Sequence, residues 1–295
     1  MEAAFDILPP MRKASIIRLS AALLLAGGLW LAHTQQGGPP PSKLDLVKIK
    51  DDLYVIHNDY VPGNSTALIT NDGVILVDDK FDSDYEGILT QLKKVTPKPI
   101  KYVINTHHHG DHSGSNAKMQ KMDVQIVASQ HARENMVDGN QPGLPNVVFD
   151  HHAQVYLGGK YAELYYFGRS HTNGDIVVLF PAQRTLASGD MFTFGQDVPE
   201  LIDYAGGGSG KEWTNTLDAA LLLPFDTVVP GHGPVTTKAE MAKFRTSTLT
   251  LRNRVHEMLV QKKSRDDVSA MLKKDFHFAQ LHLDRSLDGL MVEMR

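Results

Sequence analysis

Two mixed β-sheets packed face to face, with helices outside, is the α/β fold class that the sequence predicts. Short apolar runs rich in β-formers recur between Gly, Asn and Asp turns from Leu44 onward. Amphipathic helical stretches alternate with them, and the same rhythm fills both halves of the chain. Each half therefore has an apolar sheet face to bury, and stacking the two sheets buries both.

Taken in order, 53–57, 65–70 and 74–78 read as an antiparallel meander, with Asn71-Asp72-Gly73 as a hairpin turn. A helix over 85–95 places Ile88, Leu89 and Leu92 on one face and stops at Thr96-Pro97. A strand over 100–105, a helix over 113–121, a buried strand over 124–129 and a helix over 130–136 follow; 138–145, rich in Gly, Asn and Pro, reads as an exposed loop. The second half predicts strands at 163–168, 175–180, 185–188 and 227–230. Its helices fall at 217–223, 238–262 and 266–274, while the pattern over 276–295 is ambiguous. The expected organisation is a signal and linker over 1–42, a catalytic domain over 43–238 and a helical extension over 239–295.

A formal net charge of −4 gives no electrostatic case for nucleic-acid binding. The chain has no Cys, which excludes disulfides, thiolate metal sites and cysteine nucleophiles. Near the N-terminus, Met11-Arg12-Lys13 and Arg18 form a basic region before an apolar run over 19–32, and a Pro-rich polar stretch follows. That run is short for a membrane span and reads as an export signal, with Met11 as the natural start. Periplasmic or secreted placement is expected, without a stable span unless the signal stays uncleaved. Trp30 sits where cleavage near Ala32 would favour a small residue.

Residues 106–114 read T-H-H-H-G-D-H-S-G, directly after a predicted strand. His107, His109, Asp111 and His112 are the ligand types that hold zinc at neutral pH without thiolates. Three more sites follow strand-like runs: His171 in G-R-S-H-T-N-G-D, Asp190 in S-G-D, and His232 in P-G-H-G. A lone His before Gly is more often a turn residue than a ligand, but four strand-end sites in one chain form a strong pattern.

The order H-x-H-x-D-H, a distant His, Gly-Asp and Pro-Gly-His-Gly resembles the metallo-β-lactamase-fold superfamily of metal hydrolases, over roughly residues 45–238. The resemblance implies a four-layer αββα sandwich with metals at one edge, between the sheets. It implies a first zinc on His107, His109 and His171, a second on Asp111, His112 and His232, and Asp190 bridging both. Ions about 3.5–4 Å apart would clamp the attacked oxygen and the leaving group. The implied reaction is attack by a metal-bound hydroxide on an ester, thioester, lactone or amide. Asp111 would orient the nucleophile, and Asp111 and His171 are the candidate catalytic residues. Roughly one net positive charge would remain, favouring an anionic small-molecule substrate.

Zinc β-lactamases carry Cys or Ser where this chain has Asp190, so the ligand set is more similar to glyoxalase II and related esterases. The export signal and H-x-H-x-D-H resemble the third subclass of zinc β-lactamases, which keeps β-lactam hydrolysis as an alternative. Persulfide dioxygenases, with a single iron on a similar ligand set, are a second alternative.

Asn173, Arg169 and Tyr204 lie near the ligands in sequence and are the candidate substrate residues. Arg169 would meet a carboxylate and Asn173 a carbonyl oxygen. Asp78, after a strand, is the candidate to orient a ligand His through its second ring nitrogen. His108 is expected to point away from its neighbours on an extended loop. The Gly-rich loop 206–210 reads as a flexible lid over the metals; Phe192, Phe194 and Trp213 read as an apolar wall or as core.

Overall fold

The computed structural model describes residues 39–199 and 201–295. Most of the expected export segment, residues 1–38, lies outside them. The first sheet comprises β1 (Asp45–Lys48), β2 (Leu53–His57), β3 (Ser65–Ile69), β4 (Val74–Val77), β5 (Ile100–Ile104), β6 (Gln125–Ser129) and β7 (Val147–Phe149), side by side in that order. β1 to β4 form an antiparallel meander, and β4 to β7 are parallel. The second sheet comprises β8 (His152–Leu157), β9 (Lys160–Tyr165), β10 (Val177–Phe180), β11 (Thr185–Ala187), β12 (Thr227–Val229) and β13 (Thr236–Thr237). Its pairings are antiparallel apart from β11 with β12.

The two-residue period of a strand decides what each face buries. Ile75 and Val77 of β4 join Val178 and Phe180 of β10 in one cluster between the sheets. Val74 and Leu76 face the other way, against Ile88 and Leu92 of α1 (Tyr85–Lys93). Val177 and Leu179 likewise face outward, against Trp213 and Leu217 of α5 (Trp213–Leu221). Three apolar layers lie between four structural ones, giving the αββα sandwich. Strands buried on both faces read as unbroken apolar runs, as 74–77 and 177–180 do.

The helices between α1 and α5 are α2 (Gly110–Ser113), α3 (Asn116–Gln120) and α4 (Gln130–Asp138). The chain ends in α6 (Lys238–Val260), α7 (Arg265–Phe276) and α8 (Gln280–Glu293). Thr237 caps α6 through Glu240 N, and Ser264 with Asp267 forms a capping box on α7. Met241, Leu251, Val255, Leu272, Leu287 and Leu290 from these helices enter the same cluster as the outer face of the second sheet. Residues Pro40–Arg295 thus cluster as one unit. Among the described residues no helix is long and apolar enough to cross a membrane.

Several elements differ from the sequence expectation. The helix expected over 113–121 is two short pieces, α2 and α3, and Asp111 and His112 sit within the first. β7 and β8 are edge strands that bury little: β7 has three residues with no alternation, and β8 alternates with only Val155 buried. The ambiguous tail is α8, with Leu283, Leu287, Leu290 and Met291 buried. The strand expected from 175 starts at Val177, because the Asp175 carboxylate is occupied by Ser170 Oγ, Thr172 N and Thr172 Oγ1.

Leu290 of α8 is fully buried. Leu290→Ala is expected to lower the unfolding free energy by about 2–5 kcal/mol in chemical denaturation. A loss under about 1 kcal/mol would show that α8 is not part of the packed unit.

Candidate metal centre

Strand direction brings the site together. β4 and β5 are parallel, and in the other sheet β9, β11 and β12 run the same way as one another. Each continues from its C-terminal end into a loop carrying a candidate residue: Asp78, the 107–112 segment, His171, Asp190 and His232 respectively. His107, His109, His171 and Asp190 form one cluster of potential ligand atoms, and Asp111, His112 and His232 a second.

In the first cluster His109 Nδ1 lies 3.1 Å from His107 Nε2 and 2.9 Å from His171 Nε2. In the second, His112 Nε2 lies 3.4 Å from His232 Nε2, and Asp111 Oδ2 is 3.4 Å from His232 Nε2. Asp190 stands between them: its Oδ2 is 3.5 Å from His171 Nε2 and 3.3 Å from His232 Nε2, and its Oδ1 is 3.2 Å from His112 Nε2.

The far nitrogen of every ring is already engaged. His112 Nδ1 donates to Asp78 Oδ2 at 2.8 Å, and His109 Nε2 to Asp203 Oδ2 at 2.9 Å. His171 Nδ1 donates to Leu201 O at 2.9 Å, and His232 Nδ1 to Tyr60 O at 2.7 Å. His107 Nδ1 lies 3.1 Å from Thr106 Oγ1, whose own proton goes to Asp78 Oδ2 at 2.7 Å. Carboxylates and carbonyls only accept, so they fix the proton on the outward nitrogen. Five imidazole lone pairs are thereby turned inward, onto one another and onto two carboxylates. Asp190 Oδ1, buried, has no hydrogen-bond donor aimed at it. Such an arrangement is repulsive unless cations share it, and nitrogen with carboxylate oxygen is a donor set for zinc or iron.

The ionisation of these groups reports the same field. Burial pushes the His107 and His171 rings down, and the neighbouring rings push further, which keeps them neutral. His112 is held well above the ordinary imidazole range although burial opposes it, because Asp190, Asp111 and Asp78 surround it. His232 is raised by Asp190 against its own burial. Burial would raise the Asp190 carboxyl, but His232 and His112 hold it well below the usual range. Protons here occupy the positions that favour a divalent ion.

Close approach explains the local glycines. A Cβ at Gly231 would collide with Asp190 Oδ1, and one at Gly63 with the His112 ring. Asn64 clasps the His232 loop from the other sheet, donating to Pro230 O at 2.9 Å and Gly233 O at 2.8 Å.

Each of the three candidate substrate residues has a protein partner. Arg169 donates to Glu212 Oε1 at 2.5 Å and Tyr204 to Glu293 Oε2 at 3.0 Å; Asn173 Oδ1 accepts from Asn135 Nδ2 at 2.8 Å. His108 does not sit on an extended loop: half-buried, it lies 3.6 Å from Asp203 Oδ2, and burial with the adjacent His109 pushes it down to about 4. The glycine run is pinned rather than free, with Gly206 N on Asp203 Oδ1, Gly208 N on Asp203 O and Ser209 N on Ser170 O. Phe192 and Trp213 belong to the core, and Trp213 also reaches the site.

Asp203, Asn64 and Lys80 support the site without any motif that marks them in the sequence. Asp203 adjoins Tyr204 and a turn of glycines, and nothing in that spacing marks it. Lys80 is fully buried and donates to Asn58 Oδ1 at 2.7 Å and Gly63 O at 2.5 Å. It thereby braces the loop whose Tyr60 carbonyl holds His232.

A family model described as the metallo-beta-lactamase superfamily matches residues 58–232. The chain belongs to that superfamily, one of metal-dependent hydrolases. It is 24% identical over 207 residues to a metallo-beta-lactamase type 2 of Elizabethkingia meningoseptica, covering 68% of this chain and 81% of that protein. A metallo-beta-lactamase type 2 of Bacillus cereus is 26% identical over 199 residues, covering 64% and 74%. Among solved structures, a metallo-beta-lactamase from Pontibacter korlensis superposes with a TM-score of 0.64 at 22% identity, over 70% of this chain and 99% of that one. The DIM-1 metallo-beta-lactamase exposed to ceftazidime gives 0.63 at 18%, over 72% and 99%. At these identities the structural likeness is one of fold.

Asp203→Ala is expected to free the His109 ring and weaken metal binding about 10–100-fold. Competition against a chromogenic chelator measures it, and unchanged affinity would refute the orienting role. Lys80 gives a stability prediction. Burial lowers it from 10.5 to about 7, although Asp84, Asp78 and Asp111 pull the other way. Between those values the unfolded chain binds the extra proton, so stability rises with pH across that window. Lys80→Met is expected to remove a slope of up to about 1.4 kcal/mol per pH unit. Urea unfolding at several pH values from 7 to 10 would show equal slopes if this is wrong.

Proposed function

We propose that this protein is an exported binuclear zinc hydrolase cleaving an acyl C–O, C–S or C–N bond. The observation that carries the reading is the inward set of five imidazole lone pairs around Asp190, each ring fixed from behind. His107, His109 and His171 would hold one ion, Asp111, His112 and His232 the other, and Asp190 reaches both groups. When bound, divalent ions supply Lewis-acid polarisation of a carbonyl and lower the pKa of a water.

The residues of the chain supply position and proton handling. Asp111 is the more open of the two carboxylates, with 20% side-chain exposure against 10% for Asp190. It is therefore the group placed to orient the attacking water and accept its proton. His171, Asp190 and His232 form one wall of a cavity beside the cluster, where a substrate carbonyl would lie. The export part rests on the basic and apolar N-terminal segment. β-Lactam hydrolysis is a second reading, favoured by what the relatives are called.

Zinc-loaded and iron-loaded protein should be compared on nitrocefin, acyl-thioesters, lactones and aryl phosphodiesters, with oxygen uptake followed in parallel. Zinc-dependent acyl hydrolysis with two metals per chain is the expected result, abolished in His107→Ala. Oxygen uptake without hydrolysis, or near-normal turnover by the His107 variant, would overturn it. Asp190→Ala is expected to lose the second metal; two tight metals on titration would exclude the bridging role.

A further inference from the structure

The cavity against His171, Asp190 and His232 has a volume of about 140 Å³. Tyr60, Val61, Leu201, Trp213 and His282 form most of its remaining wall. Most of this surface is apolar; the polar Thr193 and Gln196 also line it, with Thr193 Oγ1 donating to Gln196 Oε1 at 3.3 Å. The Trp213 indole N–H is spent on Met191 O at 2.9 Å, leaving the ring itself to face the space. The Leu201 carbonyl is taken by His171 Nδ1, and Tyr60 stacks on the His232 ring with centroids 5.1 Å apart.

No Lys or Arg lines this cavity among the described residues. The nearest candidate by sequence, Arg169, is paired with Glu212 and faces a separate groove with Lys211 and Arg252. A carboxylate carried into the cavity by a substrate's side group would lose its hydration and gain no Lys or Arg partner in return. Size narrows the choice further. The volume is close to the cavity of about 150 Å³ known to accept one benzene, and well below the roughly 300–1,000 Å³ that encloses a drug-sized ligand.

We propose that this cavity receives a small, uncharged, apolar acyl group, up to about the size of a phenyl ring, and that His282 of α8 limits its depth. The inference rests on the hydrolase reading above and runs against the expectation of an anionic substrate. The reaction remains plain hydrolysis. The oxygen of water bonds to the acyl carbon, the bond to the leaving oxygen breaks, and one water proton goes to the leaving group. His282 makes the last helix part of the substrate site as well as of the core, and its neighbours Leu283 and Leu287 anchor it there.

The test uses zinc-loaded full-length protein and 4-nitrophenyl esters that differ only in the acyl group. Butyrate is expected to exceed the anionic hemisuccinate by at least about tenfold in kcat/KM, and benzoate to exceed octanoate. His282→Ala should raise the octanoate-to-butyrate ratio several-fold. Val61→Trp, at a position 57% exposed on the cavity rim, should lower benzoate relative to acetate and serves if the His282 variant does not fold. Hemisuccinate matching or exceeding butyrate would overturn the proposal, as would unchanged ratios in both variants. Absence of zinc-dependent hydrolysis of every ester would instead remove the hydrolase reading, and this inference with it.

Discussion

The buried carboxylate of Asp190 is held where imidazole nitrogens from both sheets converge, and the surrounding structure answers to that concentration of like-facing lone pairs. Left to itself such a cluster would open, since each group presents an acceptor to its neighbours. Rigid outer contacts prevent this. Asp78, Asp203, Thr106 and two backbone carbonyls grip the rings from behind, so the inward orientation is set before any ion arrives. Preorganisation of this kind spares an ion the cost of gathering its own ligands.

The two sheets serve the site in different ways. The first supplies a dense loop after β5, in which four potential ligands fall between residues 107 and 112. The second supplies single residues after β9, β11 and β12. Asn64 ties the two sides by donating to the His232 loop across the seam. The C-terminal helices add a third dependence. Glu293 of α8 accepts from Ser209 Oγ, Tyr204 OH and Lys211 N, and so steadies the loop on which Asp203 holds His109. Packing at the outer face of the second sheet is in this way connected to the geometry of the metal cluster.

Much of the fold was legible in the sequence, because the strands that build the layers are buried on both faces and read as apolar runs. β7 and β8 are less legible because edge strands bury little: β7 is three residues long and shows no period, and β8 alternates but offers only Ala153, Val155 and Leu157 to its inner face. The tail over 276–295 was ambiguous because the exposed Leu281 and Val292 and the mid-helix Gly289 blur a helical stripe formed by Leu283, Leu287, Leu290 and Met291. The candidate ligands were legible because each lies a few residues past a strand end and close to a Gly.

The sequence by itself determined the family, the layered fold and which seven side chains were chemically fit to hold metal. Those follow from residue type and local spacing, which the linear chain records directly. Only the tertiary structure decided which ring nitrogen faces inward and that Asp203 rather than Tyr204 supports the site. It alone engaged Arg169 with Glu212 and carried His282 to the cavity wall. Each of these depends on contacts between segments far apart in the chain, and no local pattern encodes a partner that arrives only when the sheets close.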